Sequence, residues 1–305
     1  MQTYFALAIL SAAAAAADLS QHAQQEFMGY AGMYNWNYDK VEDMARGLEN
    51  FQKNKARVQH LNETNRGVSF AINASANLDD EEWRKKSTGA NLPHDAEGGR
   101  RLSHDPNARS LQGISSIDWV AAGKVSPVKN QGACGSCWAF GATLVQESME
   151  AIQKDTAPVR LSEQEGVDCV ANSSGCNGGW MAHYWAFSRD NGSQTNLDYP
   201  YEAATRECRN QTNKTVASRA ASWGYARDST TTMMQQLQQG PLSIAVAAGN
   251  ECWRWYSDGI LSSANNCPTS IDHAVVIVGL NIAGGDGGDG DGEQQYDRIC
   301  RRATK

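Results

Sequence analysis

What this 305-residue chain lacks narrows its function first. It has no excess of basic charge: 27 Lys and Arg stand against 34 Asp and Glu, a net charge of −7, so the positive face that nucleic acid requires is not expected. It has no internal run of 18 or more apolar residues, so nothing past its leader is expected to span a bilayer. It has no cysteine before residue 134, and then eight: Cys134, Cys137, Cys169, Cys176, Cys208, Cys252, Cys267 and Cys300. Hydrophobic residues at 41% and charged residues at 20% leave enough apolar surface for a buried core, which excludes general disorder. Length alone is compatible with two domains.

The first residues contain no Lys or Arg, yet the run Tyr4–Leu10 is apolar and is followed by Ser11 and alanines up to Ala17. Small residues before Asp18 suit signal peptidase, so residues 1–17 read as a secretory signal rather than a buried Ala-rich helix. A secretory route places the cysteines in an oxidising compartment, where bridges form. Six N-x-S/T sequons, at Asn62, Asn73, Asn172, Asn191, Asn210 and Asn213, fit a glycoprotein on that route.

Composition divides the chain near residue 110. In Val41–Asn62 the apolar residues Val41, Met44, Leu48, Phe51, Val58 and Leu61 recur at helical spacing. A short helix is predicted over Leu78–Lys86, where acidic residues precede Trp83 and basic ones follow it. Residues 88–110 are rich in turn formers and charge and read as an exposed linker. Beyond it a helix is predicted over Ser136–Lys154, and strands over Leu242–Val246 and Ala274–Val278. A helical half followed by a β half gives an α+β enzyme with a cleft between halves. The run GGDGGDGDG at 284–292 has neither EF-hand nor β-roll spacing and reads as a hairpin tip rather than a calcium loop.

The chemistry concentrates in Gln131-Gly-Ala-Cys134-Gly-Ser-Cys137-Trp-Ala-Phe140. A thiol at a helix start is favoured as thiolate by the dipole, and Cys137 sits at the start of the predicted helix behind the turn residues Gly132 and Gly135. The Gln131 amide can donate to an oxyanion beside the Cys137 N–H. On spacing alone, Cys134-x-x-Cys137 remains open to a redox dithiol or half a zinc site. His273 and His183 compete as the base.

This run resembles the active-site signature of the papain-like cysteine proteases, of the cathepsin L kind. Ile117-Asp118-Trp119, Gly175-Cys-Asn-Gly-Gly179, Tyr199-Pro200-Tyr201, Gly240-Pro241 and Asp272-His273-Ala274-Val275 follow in the family's order. The resemblance implies a two-lobed α+β fold, with a helical left lobe and a β-barrel right lobe, over residues 111–305. It implies Cys137 as nucleophile, His273 as base, and Gln131 in the oxyanion hole. Gly178 and Gly179 would pair with an extended peptide, and Met181, Ala245 and Ala274 would line an apolar pocket. It further implies bridges Cys134–Cys176 and Cys169–Cys208. Cys252–Cys267 is a reasonable local pair, and Cys300 is left over. No metal or organic cofactor is implied, and a monomer acting on proteins or peptides is expected, in a lysosome or vacuole or outside the cell.

Residues 18–110 resemble the family's inhibitory propeptide, an intramolecular partner for the cleft, against the plainer alternative of a helical spacer. Phe51, Asn54, Val58 and Asn62 keep the end of its helix motif. Asp43 stands where Glu is usual, Gly47 where Arg is usual, and Ser75 and Asn77 where Phe and Asp are usual. The mature terminus is expected near Gly113, with Arg100-Arg101 and Arg109 as alternative processing sites. After Tyr296 the sequence departs from the pattern: Arg301 stands where an Asn orienting the imidazole is expected, the strands expected next are not found, and Asn281, eight residues past His273 and expected on the same strand, is too close to substitute. With that departure an incomplete right lobe is expected, and a second reading stays open, a catalytically impaired homologue acting as a binding or inhibitory protein.

Overall fold

The computed structural model describes residues 21–91, 100–101, 115–209, 212–226 and 230–281. In chain order these form α1 (21–34), α2 (Val41–Thr64), β1 (Val68–Phe70), α3 (Asp80–Ser87), β2 (Arg100–Arg101), β3 (Ile117–Asp118), α4 (Cys137–Gln153), α5 (Glu163–Cys169) and α6 (Met181–Asn191). Then follow β4 (Gly224–Tyr225), α7 (Thr230–Leu237), β5 (Leu242–Val246), α8 (Glu251–Trp255), β6 (Tyr256–Gly259), β7 (His273–Ile277) and β8 (Gly279–Leu280). The chain clusters into two compact units, one of residues up to Trp83 with Glu251–Asn266, the other of Arg84–Asn250 with the residues from Cys267.

In the first unit α2 buries Gly47, Phe51, Asn54, Val58 and Leu61, a stripe at steps of three and four. Phe51 meets Phe27, Tyr30 and Trp36 in an aromatic cluster with centroid distances of 5.1–6.2 Å. The two motif asparagines act through their amides. Asn54 is buried and donates to Ala76 O and Leu78 O at 3.0 and 3.1 Å. Asn62 exchanges two 2.9 Å bonds with the backbone of Phe70, which fixes β1. Gly47 is explained by Tyr38, since a Cβ there would stand 2.6 Å from the phenol oxygen. β1 pairs antiparallel with β6.

In the second unit α4 is buried on nearly every side, as its run of Cys137, Trp138, Ala139, Phe140, Ala142 and Leu144 requires. It packs on α6, α5, β5 and β7. Gly141 permits that approach: a Cβ there would lie 2.8 Å from the Ser243 hydroxyl. β5 and β7 pair antiparallel from Leu242↔Ile277 to Val246↔His273, and β3 pairs with β8. Among the described residues the strands pair two by two, and no closed barrel is formed.

A buried ionic cluster ties α4 to α5. Lys129 Nζ lies 2.5 Å from both Glu147 Oε1 and Glu163 Oε1, and all three side chains are at most 2% exposed. Ser126 donates to Glu147 Oε2 at 2.6 Å, Leu161 N to Glu147 Oε1 at 2.7 Å, and Thr143 to Glu163 at 3.0 Å. Burial pushes the Glu147 carboxyl up, and Lys129 pulls it back.

The linker expectation needs correction. Residues 88–91 are not a free connector: Ala90 is buried and hydrogen-bonded within the second unit, and Arg100–Arg101 form a strand parallel to β4. Peptide groups bond whatever their side chains, so turn-forming composition did not reveal this. Asn281 follows β8 rather than lying on the His273 strand, and its Oδ1 accepts from Ser116. The signal segment, the processing site at Arg109, the terminus near Gly113, the Gly-Asp run, Tyr296, Cys300 and Arg301 lie outside the described residues.

Candidate active site

Two elements converge on the Cys137 sulfur. α4 begins at Cys137, with Ser136 as its cap residue and a turn through Gly132 at φ 61° before it. β7 begins at His273, and the amide of the next residue, Ala274, donates to the Cys137 sulfur. Cys137 is fully buried and His273 is 6% exposed, so the pair lies inside the unit rather than on its surface. The competing His183 sits on α6, where its Nδ1 lies 3.3 Å from the Ser173 hydroxyl.

The loop before Cys137 is held from three directions. Cys134 is bonded to Cys176, with Cα atoms 4.6 Å apart, and Gly135 N donates to Cys176 O at 2.9 Å. Gln131 Nε2 donates to Cys134 O at 3.0 Å, which uses one of its two amide hydrogens. Tyr201, to which the sequence attached no role, donates to Gln131 O at 2.7 Å and lies 2.6 Å from Ser136 Oγ. Trp138 donates to Gly175 O at 3.2 Å. Cys169 is bonded to Cys208, and Cys252 and Cys267 are also disulfide-bonded. With Cys134 in a bridge and Cys137 a free thiol, the two do not form a dithiol pair.

Gly178, at φ 113°, and Gly179 form one wall. Met181 and Ala274 share a buried cluster with Cys137, and Ala245, opposite Ala274 in the β5–β7 register, packs against it. Residues 88–91 lie along this wall. Asn91 N donates to Gly179 O and Gly179 N to Gly89 O, each at 2.9 Å, a parallel bridge centred on Ala90. On the other side Gly89 N and Ala90 N both donate to Asp272 O, at 2.9 and 3.0 Å. The Asp272 carboxylate accepts from Ala248 N at 2.9 Å and from Gly249 N at 3.0 Å, which fixes the loop after β5. Asp272 and Tyr201 both stand in quoted sequence motifs, and only their tertiary partners reveal what they hold.

Burial changes the thiol chemistry. The helix start and the amides of Ala274 and Trp138 favour thiolate, but desolvation outweighs them and pushes the Cys137 thiol up to about 12. Burial therefore opposes the thiolate that the helix start and the two amides favour. Among the described residues no three or more His, Cys, Asp or Glu side chains cluster as metal ligands, and no helix is long and apolar enough to cross a membrane.

Residues 114–295 match the family described as papain family cysteine protease. The chain belongs to that family. Chymopapain of Carica papaya is 32% identical over 92% of this chain and 81% of its own length. The digestive procathepsin L2 proteinase of Tenebrio molitor larval midgut superposes with a TM-score of 0.76 at 29% identity, over 86% of this chain and 87% of that one. A recombinant stem bromelain precursor superposes with a TM-score of 0.74 at 26% identity, over 86% and 83%. The fold is papain-like, and the protein is a papain-like cysteine peptidase.

Proposed function

We propose that this chain is the precursor of a cysteine endopeptidase, and that residues 84–91 close its cleft until they are removed. The observation that carries the reading is the pairing of Gly89–Asn91 with Gly179 on one side and Asp272 on the other, beside the buried Cys137. Backbone pairing of this kind is how an extended protein or peptide substrate would be held, so the segment occupies the place that substrate needs. Removing it returns water to the thiol, lowers its pKa and lets His273 take its proton.

In the opened site the Cys137 sulfur attacks the peptide carbonyl. The Cys137 amide and the remaining Gln131 hydrogen stabilise the oxyanion, and His273 returns the proton to the leaving amine. Water then hydrolyses the acyl-enzyme. Gly178 and Gly179 offer backbone groups to the substrate, and Met181, Ala245 and Ala274 give an apolar pocket. The three pairs of oxidised cysteines fit maturation in the secretory pathway, toward a lysosome, vacuole or the exterior.

The test is hydrolysis of a peptidyl-aminomethylcoumarin by the full chain, before and after acid treatment or limited digestion. Activity should appear together with loss of the residues before about 114 and be absent from Cys137→Ser. Absence of hydrolysis after that removal would overturn the endopeptidase reading. A second reading, a cleft that binds without cutting, draws on Arg301 standing where the family pattern expects Asn. Reaction of the opened chain with an epoxide reagent at Cys137 but no turnover would favour it.

A further inference from the structure

Within the first unit a long cation is buried where a surface residue would be expected. Arg254, on α8, has a side chain 1% exposed. Its guanidinium lies 5.0 Å from the Trp83 ring centre and 4.3 Å from that of Trp255. Nη1 donates to Asp80 Oδ1 at 2.9 Å, Nη2 to Ser75 O and Leu78 O at 2.7 and 2.9 Å, and Nε to Ser75 Oγ at 3.2 Å. Asp80 also takes both its oxygens to Arg57 Nη1 on α2, at 2.7 and 2.9 Å. The Arg254 carbonyl accepts from Asn73 Nδ2 at 2.6 Å, and the Trp255 carbonyl from Ala71 N at 2.8 Å.

A buried guanidinium is tolerated only when its planar fork meets acceptors in the right directions. Residues 75–83 supply four such bonds and one indole face. We propose that Arg254 is the docking key by which residues 251–259 recognise and hold residues 68–83, through an ionic and aromatic socket. Ser75 is the residue that makes the socket polar. It stands where the family resemblance expects Phe, and gives both its carbonyl and its hydroxyl to Arg254. α3 starts at Asp80, the ionic partner, and ends at Ser87, directly before the Thr88–Asn91 segment. Holding Asp80 therefore holds the first turn of α3. The key and socket do not depend on the precursor reading.

The experiment is amide hydrogen exchange on the full chain carrying Cys137→Ala, which cannot digest itself. It compares that chain with versions that also carry Arg254→Leu, Arg254→Lys or Asp80→Asn. Arg254→Leu should speed exchange across residues 68–83 about tenfold or more, because several charge-assisted bonds are lost together, while the amides of α4 keep their protection. Arg254→Lys should not restore protection, since one ammonium cannot reach the three acceptor residues. Asp80→Asn should act in the same direction more weakly. Unchanged exchange over 68–83 in Arg254→Leu overturns the proposal. If α4 also loses protection there, Asp80→Asn decides, and unchanged exchange in that variant overturns it. Because the readout needs no peptidase activity, a cleft that proves inert leaves this result unaffected.

Discussion

Replacing Gly89 by alanine places a methyl group where the structure has no room for one. Its Cβ would stand 2.6 Å from the Gly135 carbonyl carbon and 2.8 Å from the Gly135 Cα, nearer still to the carbonyl oxygen, all of them backbone atoms that cannot rotate aside. Gly89 also sits at φ +155°, at the border of the region that favours glycine, so the substitution is strained whichever way the segment moves. The closed position of the segment depends on four backbone bonds, two of them made by Gly89 itself, to Asp272 O and from Gly179 N. At about 1 kcal/mol net for each, loss of those two weakens closure by about 2 kcal/mol, or roughly 30-fold in the population of open chain. The assay is the rate at which a peptidyl epoxide labels Cys137 in the full-length chain, followed by intact mass. Gly89→Ala should label about 30-fold faster than the unaltered chain. Gly32→Ala, in α1 with nothing within 4 Å of the added carbon, should label at the unaltered rate. A folded Gly89→Ala chain that labels no faster than the parent refutes the argument that residues 88–91 gate the thiol.

The pH dependence of the same labelling follows from burial of the sulfur. The thiol is raised from its ordinary value of 9.0 to about 12, so the covered form prefers the protonated thiol. Its contribution to closure is complete below about pH 9 and is lost as pH rises toward about 12. Labelling of the intact chain should therefore keep climbing through that alkaline range, and a plateau below pH 9 would show that the sulfur is not desolvated. A different perturbation tests the buried ionic cluster: Lys129→Met removes the cation from Glu147 and Glu163 and should cost about 3–5 kcal/mol in denaturant unfolding. Burial already raises Glu147, and loss of Lys129 raises it further. A raised carboxyl contributes stability at low pH and loses it as pH rises through its folded value, so the deficit of Lys129→Met should be larger at pH 7.5 than at pH 5. An equal deficit at both would mean that the Glu147 carboxyl does not change protonation.

Much of the site was legible where the information is local. The turn residues before Cys137 and the apolar run after it specify a helix start, and α4 begins at that residue. The β-branched run after His273 specifies a buried strand, and β7 begins at His273. The α2 stripe was visible in its spacing, but the reason for Asn54 and Asn62 was not, because their partners lie on segments that follow the helix and carry no periodic mark. Nothing in the neighbours of Arg254 announces its Ser75, Leu78 and Asp80 acceptors, more than 170 residues away.

The sequence by itself determined which residue types stand at the head of which element: a cysteine opening a buried helix and a histidine opening a buried strand. Those follow from helix and strand periods and from turn chemistry, which act over a few residues. Only the tertiary structure decided that Gly89–Asn91 lies paired between Gly179 and Asp272, that the Cys137 sulfur is buried and its thiol pushed up by desolvation, and that Arg254 is buried among acceptors of the first unit. Backbone pairing uses groups that every residue carries, and desolvation depends on what lies overhead, so neither leaves a signature in the order of the amino acids.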